Sequence, residues 1–275
     1  MKPEKPKKTD ALIIHDRGKS QPSPVVVFLH GFPFTRSMWR IQIESLINEI
    51  RAVDYDLRGF GENPSDDGIT TIEEHADDLL RALDGIKRIF PVVLCGHSLG
   101  GFVALRAFER EPQRFAGLVL CGAHAKAPTD QERLQWADHI RSITQTSTSR
   151  FVQGYLDSCF TSETRETPTG EYDQALEEAN ATPSPVHKGA MLAMMGRTDT
   201  LRQLERTNPP LLLLAGSRDS ITPPEALLRM GLGITGTQFV RIPQAAHSAP
   251  LDNSEFFTNA LHHFIDSETV RQRMK

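Results

Sequence analysis

An α/β fold, a doubly wound and mostly parallel sheet carrying an inserted helical cap, follows from three observations in this 275-residue chain. Short aliphatic and β-branched runs alternate with helix-length amphipathic segments. Several of those runs are apolar throughout, as strands covered by helices on both faces must be. One long interval holds helix patterns and no strand pattern.

Strands are predicted over 11–14, 25–30, 52–55, 91–95, 117–121, 211–215 and 238–242. Thr71-Ile72-Glu73-Glu74 reads as a capping box, and the helix it starts places Ala76, Leu79, Leu80 and Leu83 on one apolar face. Helices are also predicted over 99–111 and 253–266. Strand and helix in alternation give parallel strands joined by crossovers. From 124 to 206 no strand appears, and a structureless loop of that length does not fit a compact domain. That interval carries helix patterns at 131–143, 149–156 and 174–179. A further helix starts with Ser184 as its cap and Pro185 as its first residue. The expected organisation is a flexible tail over 1–10, a core formed by 11–123 and 207–275, and a helical cap over 124–206.

A chain with 39% hydrophobic and 24% charged residues and a net charge of −4 has the composition of a globular protein. The negative balance gives no electrostatic footprint for nucleic acid or an anionic membrane. Lys2 to Lys8 is basic but Pro-interrupted and precedes no apolar stretch, so it reads as a solvated tail rather than a signal peptide. The apolar runs are strand-length, too short to span a bilayer, and the expected location is cytoplasmic. Three cysteines without regular spacing form no disulfide framework or zinc site, and Cys95 and Cys121 read as buried strand residues. No His-Glu-x-x-His or clustered ligand set predicts a metal, and no cofactor is expected. The sequence sets no oligomeric state.

The chemistry concentrates in Val92-Val93-Leu94-Cys95-Gly96-His97-Ser98-Leu99-Gly100-Gly101, an apolar strand entering Gly-x-Ser-x-Gly and then a helix. A nucleophile on so tight a turn needs small neighbours, and the turn lifts its hydroxyl above the sheet edge. The Leu99 amide then lies at a helix N-terminus, where free donors and the dipole favour negative charge. Ser98 needs a base. His75, His139, His262 and His263 fall inside helix patterns, whereas His247 follows the last strand on a short loop, at the edge where open parallel sheets bind ligands. Asp219 lies just past the strand Leu211-Leu212-Leu213-Leu214-Ala215 and would orient that base; Asp54, Asp56 and Asp199 are its rivals. Asp56, in Asp56-Leu57-Arg58-Gly59-Phe60-Gly61, reads instead as a loop braced by an Asp–Arg pair. Val26-Val27-Phe28-Leu29-His30-Gly31-Phe32-Pro33 leaves a strand through a turn permitted by Gly31. The amides of Phe32 and Leu99 are the expected oxyanion donors. The Phe32 ring, His97 and Met194 are the expected substrate-pocket residues, and His30 a structural hydrogen-bonder behind the loop.

Together these residues resemble the α/β-hydrolase superfamily over nearly the whole chain outside the tail. His30-Gly31-Phe32-Pro33, Met38-Trp39, the Asp56–Gly61 loop, and His247 with Pro250-Leu251-Asp252-Asn253 and Glu255-Phe256 are similar to its cofactor-free haloperoxidase, arylesterase and carboxylesterase branch. Ala193-Met194-Met195-Gly196-Arg197-Thr198-Asp199 resembles the end of the helical cap in esterase-like members. The resemblance implies a triad of Ser98, Asp219 and His247, and perhydrolysis as a side activity. Two departures stand out: Ala246 replaces a usual Gly before His247, and Glu62-Asn63 closes a loop where Ser is usual, implying different hydrogen bonding there. Dehalogenases and epoxide hydrolases of this fold carry Asp where this chain carries Ser98, which disfavours their chemistry. The expected function is hydrolysis of small to medium, largely apolar acyl or aryl esters through an acyl-enzyme on Ser98. The alternatives are an enol-lactone or C–C bond hydrolase with the same triad, and a ligand receptor with little turnover.

Overall fold

A computed structural model describes residues 12–18, 24–65, 67–86, 91–167 and 170–274. The tail expected over 1–10 lies outside the described residues. The amino-terminal half contributes β1 (His15–Gly18), β2 (Val25–Leu29), α1 (Arg40–Leu46), β3 (Arg51–Asp54), α2 (Ile72–Gly85), β4 (Val92–His97), α3 (Leu99–Arg110) and β5 (Phe115–Cys121). Helices α4 (Asp130–Gln145), α5 (Thr148–Cys159), α6 (Ser162–Glu166), α7 (Glu171–Ala181), α8 (Ser184–Gly196) and α9 (Leu201–Thr207) follow without an intervening strand. The chain then returns through β6 (Leu211–Gly216), α10 (Pro224–Gly231), β7 (Gln238–Ile242), α11 (Ala249–Asp252), α12 (Ser254–Asp266) and α13 (Glu268–Arg273).

The sheet has the order β1-β3-β2-β4-β5-β6-β7, parallel except where β1 meets β3. Every residue of β2, β4, β5 and β6 is buried, as continuous apolar runs between two helical layers require. The edge strands β1 and β7 are short and half exposed, with charged residues facing water. Thr71 closes the predicted capping box: its hydroxyl accepts from the Glu74 amide and the Glu74 carboxylate accepts from the Thr71 amide. Ala76, Leu79, Leu80 and Leu83 form its buried face.

Three local readings change. The first strand among the described residues is His15–Gly18, which registers with Asp54 through Arg51; of the predicted 11–14, residue 11 lies outside the described residues and 12–14 carry no strand. Helix α8 begins at Ser184, one residue early, with Pro183 at the cap, so Pro185 sits second in the helix, where its missing donor is still harmless. Asp56 accepts from the amides of Arg36 and Glu62 and pairs with the Arg36 guanidinium at 3.8 Å, so its arginine partner comes from outside the loop, while Arg58 pairs with Asp78 at 2.6 Å. Asn63 closes the loop as its departure implied: its side chain accepts from the Ile13 amide at 2.7 Å and donates to the Asp56 carbonyl at 2.7 Å.

Successive connections leave β2 on opposite sides, toward β3 one way and β4 the other, which opens a crevice between the carboxyl ends of β2 and β4. The register pairs Leu29 with Gly96, His97 with Cys121, Cys121 with Leu214 and Gly216 with Ile242. Those pairings bring the loops after β2, β4, β6 and β7 out along one edge, next to the crevice.

A buried histidine behind this edge gives the fold a pH dependence. His75 on α2 is buried, neither ring nitrogen has a partner among the described residues, and burial pushes its pKa from 6.5 down to about 4. Between those values the unfolded chain holds a proton that the folded chain does not, so stability rises with pH across the window, by at most about 1.4 kcal/mol per pH unit for one group. The Tm advantage of the wild type over His75→Leu is therefore expected to shrink as pH falls from 7 toward 4.5. Thermal melts of both proteins across that range read it, and a gap independent of pH contradicts it.

Candidate active site

Ser98 occupies the bend between β4 and α3 with φ 48° and ψ −113°, a left-handed conformation costly for a side chain with a β-carbon. Two hydrogen bonds hold it: the Ser98 amide donates to the Cys121 carbonyl at 2.8 Å, and the Ser98 carbonyl accepts from Phe102 at 3.1 Å. The glycine pattern follows from packing. A β-carbon on Gly100 would lie 2.3 Å from the Leu29 carbonyl oxygen and 2.6 Å from that of His30, so only glycine lets α3 start against β2. Gly31 serves a different purpose from the sharp turn expected of it. Its φ is unexceptional, but a β-carbon there would meet the His97 ring at 2.1 Å.

His247 and Asp219 form a buried pair. Asp219 Oδ2 accepts from His247 Nδ1 at 2.9 Å, and Asp219 Oδ1 accepts from the amides of Ile221 at 2.9 Å and Thr222 at 2.8 Å. With the carboxylate accepting on both oxygens, Nδ1 is the donor, and Nε2 keeps a bare lone pair. That Nε2 is buried and has no partner among the described residues. The His247 carbonyl accepts from His97 Nε2 at 2.8 Å, which pins the base loop to the residue immediately before Ser98. Asp252 braces the same loop from the other side: its carboxylate accepts from the Ala246 amide at 2.8 Å and from the Thr164 hydroxyl at 2.6 Å. Ala246 thus replaces glycine while keeping its amide in use.

The rivals for the orienting carboxylate are engaged elsewhere. Asp54 pairs with Arg17 and Arg36, Asp56 takes the amides described above, and exposed Asp199 accepts from the Leu201 amide. His30 lies behind the β2 loop, donating from Nδ1 to the Gly31 carbonyl at 3.0 Å and accepting on Nε2 from the Leu57 amide at 2.8 Å. Burial holds its pKa below the ordinary histidine range. His97 is pushed well below that range by burial and by His247 beside it. The Phe32 and Leu99 amides, expected as oxyanion donors, donate to no acceptor among the described residues.

The expected pocket residues Phe32, His97 and Met194 are all buried. Phe32 is fully buried, and its ring is the hub of an aromatic cluster with Tyr155 at 5.2 Å, His187 at 5.5 Å, Trp136 at 6.3 Å and Phe151 at 6.5 Å. A cavity of about 570 Å³ is lined by Trp136, Phe151 and Tyr155 and reaches Ser220 and Ile221 next to Asp219. Phe32, His97 and Met194 are not among its lining residues. His97 instead ties β4 to the base loop, and Met194 is buried on α8, where its carbonyl accepts from Arg197. Sequence reasoning missed the rings that do line the cavity, because Trp136, Phe151 and Tyr155 read only as apolar positions of amphipathic helices. It also missed Glu178 on α7, which accepts from the Thr35 and Ser37 hydroxyls, both at 2.6 Å, and docks α7 to the loop after Phe32.

Burial raises the thiol pKa of Cys95, Cys121 and Cys159, which keeps them protonated and unreactive beside the site. Among the described residues no three His, Cys, Asp or Glu side chains gather as a metal site, and no helix is long and apolar enough to cross a membrane.

Known proteins resemble this chain along most of its length. The model of the alpha/beta hydrolase family matches residues 26–260. The chain is 24% identical to 3-oxoadipate enol-lactonase 1 of Acinetobacter baylyi, over 89% of this chain and 90% of that protein. It is 28% identical to the pimeloyl-[acyl-carrier protein] methyl ester esterase of Edwardsiella ictaluri, over 89% and 94%. Among solved structures, a thermophilic esterase from Thermogutta terrifontis superposes with a TM-score of 0.85 at 29% identity, covering 96% of this chain and 94% of that one.

Proposed function

The chain belongs to the alpha/beta hydrolase family, and from that premise we propose that it hydrolyses carboxylic esters through an acyl intermediate on Ser98. The observation that carries this reading is the buried Asp219–His247 pair, whose unpartnered Nε2 lies on a loop tied to the residue before Ser98. Ser98 Oγ attacks the ester carbonyl while His247 Nε2 takes its proton, and Asp219 stabilises the imidazolium through Nδ1. The carbonyl oxygen, now an oxyanion, accepts from the free amides of Phe32 and Leu99. The C–O bond to the alcohol breaks as Nε2 returns the proton to the leaving oxygen. Water then attacks the acyl carbonyl with His247 again as base, releasing the acid and restoring Ser98. The likeness to an esterase of 29% identity and to a methyl ester esterase supports the ester as substrate.

Enol-lactone opening is the second reading, since an enol-lactonase is among the relatives and the same groups would open a cyclic ester. Steady-state rates on p-nitrophenyl esters, enol-lactones and vinylogous diketones separate the readings. Turnover of short acyl esters is the expected result; turnover confined to lactones or diketones, with the esters inert, contradicts it.

A further inference from the structure

The wall of the 570 Å³ cavity has an unusual charge pattern. Its apolar side is the ring group Trp136, Phe151 and Tyr155, all of which also pack on Phe32. The rest is polar and includes Gln135, His139, Thr146, Arg150 and Ser220, with no Asp or Glu. Burial depresses the His139 pKa, so the ring is neutral near pH 7 and Arg150 is the one charged side chain in the wall. No ion pair to Arg150 is formed among the described residues, whereas Arg133, Arg141, Arg165, Arg197 and Arg218 on the neighbouring helices and loops are all paired.

Its position on α5 sharpens the contrast. Arg150 sits in the first turn, its amide donating to the Ser147 cap at 3.1 Å, where the helix dipole disfavours a cation. Helices α4, α6 and α7 carry acids in their first turns, whereas α5, like α8 and α9, carries none. A guanidinium without a counter-charge and the amino end of a helix therefore meet at one cavity, and both favour an anion. The cavity adjoins the candidate site at two points: Ser220 and Ile221 follow Asp219, whose carboxylate accepts from the Ile221 amide, and Tyr155 packs on Phe32.

We propose that the cavity selects an ester bearing a carboxylate remote from the scissile bond, with Arg150 as the specificity residue that receives the carboxylate and the ring wall covering the apolar span. The proposal rests on the reading of Ser98 as nucleophile for its ester, while the anion site stands on the cavity alone. The shape of the ligand follows: a charged end, an apolar or aromatic middle, and an ester or lactone carbonyl at the inner end.

Two measurements test it. The first is the ratio of kcat/KM for carboxylate-bearing esters to that for neutral ones, comparing mono-4-nitrophenyl glutarate with 4-nitrophenyl butyrate and 4-carboxyphenyl butyrate with phenyl butyrate. Arg150→Gln is expected to lower that ratio about tenfold for at least one pair, mainly through KM, and Arg150→Lys to recover part of it, since the exposed Arg150 is screened by solvent but a bidentate fork still counts. The second is calorimetric binding of glutarate to Ser98→Ala protein, which is expected to weaken about tenfold when Arg150→Gln is added. Ratios and affinities that stay within about twofold, or no glutarate binding by Ser98→Ala protein, overturn the proposal. Absence of any ester turnover would count against Ser98 chemistry instead, and the calorimetric arm would still decide the role of Arg150.

Discussion

Ser98→Ala is expected to lower kcat for ester hydrolysis by about 10⁵-fold or more, with the fold intact. The size follows from the division of labour at the bend. Without Oγ no acyl intermediate forms, and what remains is water attacking a carbonyl polarised by the Phe32 and Leu99 amides. Alanine keeps the β-carbon that serine already holds at φ 48°, and the amide bond to Cys121 and the carbonyl bond from Phe102 involve only the main chain. The backbone strain is therefore unchanged, and circular dichroism and Tm should match the wild type. Stopped assays with a p-nitrophenyl ester at high enzyme concentration measure the loss. A variant within about tenfold of wild type would place the nucleophile elsewhere.

Asp219→Asn is expected to cost about 10⁴-fold in kcat with a much smaller change in KM. Oδ1 is held by the amides of Ile221 and Thr222, so the substituted side chain keeps its oxygen there and turns its NH₂ toward His247. Nδ1 must then accept, the proton moves to Nε2, and the lone pair needed to take the Ser98 proton is lost. The imidazolium also loses the carboxylate 2.9 Å away. Because the pair is fully buried, no water substitutes for the missing acceptor. The pH–rate profile provides a second readout: rate should recover at high pH, where a base other than His247 activates the serine. An Asn variant with wild-type kcat would show that Asp219 holds the loop and nothing more.

The sequence exposed the parts of this molecule that local chemistry dictates. Continuous apolar runs marked the buried strands, the Thr71–Glu74 box marked a helix start, and residues just beyond strand ends marked the catalytic candidates, because parallel strands must deliver their loops to one edge. What escaped was set by contacts distant in the chain. The first strand is fixed by pairing with Arg51–Asp54, not by its own residues, which are polar. Asp56 and Arg58 are two apart yet find different partners, because the loop turns one toward amides and the other toward α2. The carbonyl that His97 bonds to, on His247, lies 150 positions away. The rings around Phe32 come from three helices, and their periodicity reports only that each has an inner face.

The central claim is that Ser98 carries the acyl group during turnover, and the most direct measurement is the mass of the protein caught in the act. Mixing enzyme with excess p-nitrophenyl butyrate and quenching in acid within the first turnovers should give an intact mass increased by one butyryl group. Peptide mapping should place that group on Ser98, with its yield matching the burst of p-nitrophenol, and neither signal should appear in Ser98→Ala. Acylation at another residue, or a p-nitrophenol burst with no acyl adduct on the protein, would contradict the account.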